Sequence, residues 1–101
     1  MNAVFRLEIM ADSGELHKLT AILNRSKVVT YTIIRNVVSH GVCGETEDVG
    51  FALENDYIIA FCPPDLVEAL INEIRVVLNK FGGACYVSEV KEVDTVGCVI
   101  R

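Results

Sequence analysis

"YIIAFCPPDLVEALINEIRVVLNKFGGACYVSEVKEV", residues 57–93, holds a complete strand–helix–strand unit. Tyr57–Cys62 is a near-continuous apolar run of strand length, as expected of a strand covered on both faces at the centre of a sheet. Pro63, Pro64 and Asp65 end it. Leu66, Leu70, Ile74, Val77 and Phe81 then recur at helical spacing and trace one face of a long helix. Gly82–Gly83 stop that helix, since glycine accepts the backbone conformations of a helix C-terminus. Ala84–Val93 return as a strand.

The N-terminal half repeats the pattern. Ala3–Met10 alternates Phe5, Leu7 and Ile9 with Arg6 and Glu8, a strand with one buried face. Asp12 stands three residues before Glu15, the spacing of a capping box, and Leu16, Leu19 and Leu23 follow at helical spacing. Val28–Val37 reads as a second strand, its Thr30–Ile34 segment wholly β-branched or aromatic. The order is β-α-β-loop-β-α-β within one domain spanning 1–101. Two helices on one face of a four-stranded antiparallel sheet, an α+β ferredoxin-like βαββαβ sandwich, satisfy it. Val96–Ile100 is a short tail able to pair on an edge. The second and third strands carry hydrophobic residues on both sides, so the far face of the sheet is expected to be hidden by copies of the chain around a symmetry axis.

Composition narrows the function. The 101 residues are 51% hydrophobic, with a mean hydropathy of +0.40, yet no apolar run approaches the roughly 18 residues of a membrane span. The surplus is expected in the core and in a subunit interface. The N-terminal segment lacks the basic start of a signal peptide, so a cytoplasmic location is expected. A formal charge of −5 argues against nucleic-acid binding, which needs a basic face. Cys43, Cys62, Cys85 and Cys98 have no CxxC spacing and read as reduced small hydrophobes.

No Ser-His-Asp, HExxH or phosphate-loop pattern occurs, and His17 sits beside Lys18 on a solvated helix face, so no enzyme is expected. His40-x-x-Cys43 offers two soft ligands, weak candidates for a metal. Phe81 reads as core packing from its spacing to Ile74 and Leu78. The connection at about 41–55 is roughly fifteen residues where about five would suffice, a length that points to function or disorder. It carries Glu45, Glu47, Asp48 and Phe51; the acids suit a basic groove on a partner, and the aromatic can anchor there.

"AILNRSKVVTYTIIRNVVSHGVCG" (21–44) and "FGGACYVSEVKEV" (81–93) resemble the P-II signalling proteins, and more closely their small branch associated with carboxysomes and bicarbonate transporters. The first is similar to the family's helix end, strand and glycine-bearing T-loop base, the second to its B-loop and following strand. The resemblance implies a trimer with sheets packed inward and ligands held between neighbouring subunits. It makes about 41–55 a T-loop and about 81–85 a B-loop. It puts Thr32 on adenine, Ser39, Gly41 and Gly44 at the phosphate-approaching base of the T-loop, and Gly82, Gly83 and Ala84 in the B-loop. Arg35 and Lys91 are the charge partners for an anion, with Arg101 more remote.

The implied function is non-enzymatic signal transduction: an adenine nucleotide, bicarbonate or both is sensed, and a partner such as an inorganic-carbon transporter or an enzyme is regulated through the T-loop. Acidic residues in the connection oppose a di- or triphosphate by like-charge repulsion, so a monophosphate, a cyclic nucleotide or adenosine suffers less, and AMP, ADP, cyclic AMP or bicarbonate are the expected ligands. The alternatives are a ligand-free interaction subunit with a degenerate pocket and a CutA-like metal-binding trimer.

Overall fold

Strand β1 (Asn2–Asp12) is hydrogen-bonded on both flanks, and its alternation decides the two faces of the sheet. A computed structural model describes residues 1–40 and 54–96. After β1 come a 3₁₀ turn (Ser13–Glu15), α1 (Leu16–Leu23), β2 (Thr30–Val37), β3 (Asn55–Cys62), α2 (Pro64–Phe81) and β4 (Ala84–Glu92). All pairings are antiparallel and the strand order is β2-β3-β1-β4. The expected ferredoxin-like arrangement is present.

Leu7, Ile9 and Ala11 of β1 and Ile58, Ala60 and Cys62 of β3 point to one side. There they meet Leu19, Ile22 and Leu23 of α1 and Leu70 and Ile74 of α2, all buried, in one core cluster. A period of two on the strands and of about 3.6 on the helices places these residues together.

The opposite face carries the other half of each alternation. Its rows, read from the pairing, are Thr30–Phe61–Arg6–Ser88, Thr32–Ile59–Glu8–Tyr86 and Ile34–Tyr57–Met10–Ala84. Ile34 is 45% and Tyr86 68% exposed, so this largely apolar face is open in the single chain.

Local corrections concern boundaries. β2 begins at Thr30 rather than Val28, because Ser26 gathers the preceding residues into a turn: its Oγ accepts from Val28 N–H (3.4 Å) and its carbonyl from Val29 N–H (3.4 Å). β3 extends back to Asn55, which pairs with Asp12. Pro64 does not merely end a strand; it occupies the first turn of α2, where a missing N–H is harmless. The capping box does not close. Asp12 Oδ1 accepts from Gly14 N–H (3.0 Å) and caps the 3₁₀ turn, whereas Glu15 is held by Lys18 Nζ at 2.6 Å. Val96 is fully exposed, and the remainder of the tail, 97–101, lies outside the described residues. Among the described residues no helix is long and apolar enough to cross a membrane.

Candidate functional site

The C-terminal end of β1 collects the pieces expected to bind a ligand. Met10 pairs with Ala84, the first residue after the glycine turn, and Asp12 pairs with Asn55, which faces Val37 at the end of β2. The glycine turn and the base of the 41–53 connection therefore share one end of the sheet. Gly82 N–H donates to Leu78 O (2.8 Å) and closes α2. Gly83 has φ 124°, and a Cβ there would lie 2.5 Å from Met10 O and 2.9 Å from Leu78 Cδ2. Close approach of the turn to β1 by itself requires glycine at that position.

Beside this turn, between α2 and edge strand β4, lies a cleft of about 1030 Å³ lined by Asp12, Glu15, Arg75, Phe81, Gly82 and Gly83 among others. Phe81 differs from the sequence expectation: it is half-buried at the rim rather than in the core. Its ring lies under the Lys18 ammonium, 3.9 Å from the centroid, with Lys80 at 5.4 Å. A cation over a ring face is an attraction that keeps one side of the aromatic near water.

Across the sheet, β2 is irregular just before the connection. Pairing shifts between Ile34 and Val37, and Asn36 adopts φ 60°. Asparagine is one of the few residues that accept this left-handed conformation. Asp56, 2% exposed, fixes it by accepting from Asn36 N–H at 3.1 Å, while Arg35 Nε lies 3.5 Å from the other carboxylate oxygen. Ser39 Oγ donates to Met10 Sδ (2.6 Å), tying the outgoing chain to β1. Next to it on the outer face, Tyr57 OH donates to Glu8 Oε1, and Arg6 Nε is 3.3 Å from Glu8 Oε2. The hydrogen bond to Glu8, then desolvation, push the Tyr57 phenol above its ordinary pKa.

Of the residues singled out in sequence, Arg35, Ser39, Gly82, Gly83 and Ala84 gather at this end. Thr32 is exposed on the outer face, beside Ile59 and one row further from that end. Lys91 pairs with Ala3 at the other end of β1, roughly 20 Å along β4 from Ala84 at the usual strand rise. One chain alone does not bring it to the rest. His40 is exposed. Gly41, Cys43, Gly44, Glu45, Glu47, Asp48, Phe51 and Arg101 lie outside the described residues, as does most of the proposed T-loop. Among the described residues no cluster of His, Cys, Asp and Glu suits a metal ion. Asp56 was not legible as a site residue: beside Glu54 it reads as loop, and only its pairing with Ala11 shows that it points inward.

The model of the family described as nitrogen regulatory protein P-II matches residues 4–97. The chain belongs to the P-II family. P-II proteins are trimers and generally non-enzymatic signalling proteins. No curated protein matches the chain at a significant level.

Solved structures do resemble this P-II domain. CPII of Thiomonas intermedia K12 bound to ADP, AMP and acetate has a TM-score of 0.78 at 24% identity, covering 92% of this chain and 91% of that one. The same protein bound to ADP and bicarbonate has a TM-score of 0.71 at 26% identity, covering 87% and 86%. The B. subtilis GlnK–ATP complex has a TM-score of 0.66 at 20% identity, covering 89% and 84%. At such low identity these likenesses establish the fold.

Proposed function

We propose that this P-II family chain is a regulatory subunit that assembles as a homotrimer and senses an adenine nucleotide, bicarbonate or both in clefts between its copies. The 41–55 connection carries the signal to a protein partner, an inorganic-carbon transporter being the leading candidate. The observation that carries the reading is the shared end of the sheet, which holds the glycine turn at one edge and the Arg35–Ser39 base of the connection at the other, beside a largely apolar open face. On this reading a second copy laid on that face supplies the other wall of the ligand site. Binding of ADP with AMP or bicarbonate by CPII supports the choice of ligands.

Signalling by such a site is a population shift. A ligand that contacts one arrangement of the connection better than another selects it by its differential affinity, without covalent chemistry.

Sedimentation together with calorimetric titration of AMP, ADP, cyclic AMP and bicarbonate tests the proposal. A trimer that takes up an adenine nucleotide is the expected result. A trimer indifferent to every ligand at millimolar concentration replaces it with the ligand-free interaction subunit, and a stable monomer removes both.

A further inference from the structure

Asp56 is buried but only half satisfied. Its Oδ1 accepts the Asn36 N–H, while among the described residues Oδ2 accepts no hydrogen bond, although Arg35 Nε lies 3.5 Å away. A buried carboxylate oxygen without a hydrogen bond is unfavourable, and native structures carry few of them. The Arg35 side chain is 63% exposed, so its guanidinium can leave Asp56 without crossing the core. Ser13 Oγ is also buried with no hydrogen bond among the described residues. Ser13 opens the 3₁₀ turn just past β1, and its N–H bonds Glu54 O two residues before Asp56.

We propose that Asp56 is a positioning residue: it parks Arg35 against the β2 bulge and competes for it with the anionic group of a bound ligand, a phosphate or a bicarbonate. The inference rests on the ligand reading above and adds its internal competitor. On ligand binding the guanidinium exchanges one anion for another. Asp56 Oδ1 keeps the Asn36 N–H in both arrangements, so the bulge persists while the arginine moves. Ligand affinity is then set partly by a carboxylate that never touches the ligand.

The test compares AMP affinity in wild type, Asp56→Asn, Arg35→Gln and the double variant of the full chain, each checked for folding by circular dichroism. Asparagine keeps an acceptor for Asn36 and removes the competing charge. Asp56→Asn is expected to tighten AMP about fivefold or more, Arg35→Gln to weaken it, and the double variant to match Arg35→Gln. Unchanged or weaker AMP binding by folded Asp56→Asn, or the same tightening without Arg35, overturns the competition and leaves the ligand reading standing. If neither wild type nor Asp56→Asn binds AMP, ADP, cyclic AMP or bicarbonate, the ligand reading falls. Solvent exchange of the Arg35 Nε proton then judges the parking alone: faster exchange in Asp56→Asn supports it and equal exchange overturns it. Should Asp56→Asn fail to fold, Arg35→Gln decides. Unchanged AMP affinity there removes the arginine from the site and the competition with it.

Discussion

Lys18 Nζ lies 3.9 Å from the centroid of the Phe81 ring and 2.6 Å from Glu15 Oε1, so one ammonium joins the start of α1 to the last residue of α2. Neither contact is deeply buried, and each is worth little separately; a partly exposed cation–π pair contributes about 0.5–1 kcal/mol. Phe81→Leu keeps apolar bulk and removes the ring face. It is expected to lower stability by about 1 kcal/mol in urea unfolding, with Lys18→Met nearly silent in the Phe81→Leu background if the pair is coupled.

Gly83→Ala is expected to be the more severe change. The added methyl meets the Met10 carbonyl at 2.5 Å on a backbone with φ 124°, so either the turn or β1 must shift. A loss of about 2 kcal/mol or more is expected. Gly82→Ala at φ 88° is strained for the same conformational reason. Denaturant midpoints of the two variants check the ordering, Gly83 being the costlier site because Met10 and Leu78 crowd it.

The Cys62 thiol is pushed up to about 11, by burial first and then by the nearby Asp65 carboxylate. In the unfolded chain it ionises near the ordinary thiol value, so the folded state binds more protons between about 9 and 11. Its contribution to stability is complete below about pH 9 and is lost as pH rises through that window. Urea unfolding at pH 8 and pH 10.5 should show a larger drop for wild type than for Cys62→Ala. Because reactivity needs the thiolate, Cys62 should also label with a disulfide reagent at pH 8 only in denaturant.

Ile59 sits mid-sheet on the open face, between Thr32 and Glu8. If the chain assembles as proposed, Ile59→Glu should give monomers in sedimentation, since an unpaired charge in an interface is strongly opposed. Val76→Glu, on an exposed position of α2 (67%), should leave assembly intact. Equal behaviour of the two variants would place the contact surface elsewhere.

Thr32→Val removes a hydroxyl that can donate and accept while keeping its shape. If Thr32 meets adenine, AMP affinity falls roughly three- to tenfold, the usual range for one neutral hydrogen bond. Titration of the variant against wild type measures it, and equal affinities would move the base away from Thr32.

Much of this architecture is legible in the sequence because its signals are periodic. The Phe5–Leu7–Ile9 alternation, the Leu66–Phe81 stripe and the glycine pair each report a local geometry, and the order of elements leaves few topologies. What stayed hidden is non-local. Asp56 gains its inward orientation from pairing with Ala11, and the Asn36 bulge exists because Asp56 waits beneath it. Phe81 fits the apolar stripe of α2, yet Lys18, distant along the chain, holds it at the rim. Within one chain, strand length places Lys91 at the other end of β4 from the glycine turn, a separation that its place in a motif does not show.

Since β1 is flanked by β3 and β4 along most of its length, it acts as the ruler for both neighbours. Dropping one residue from its middle would turn Arg6 or Glu8 inward and Leu7 or Ile9 outward relative to two strands at once. Homologues should therefore differ in length almost anywhere before they differ there, and an indel inside 4–11 should mark a pseudogene rather than a variant.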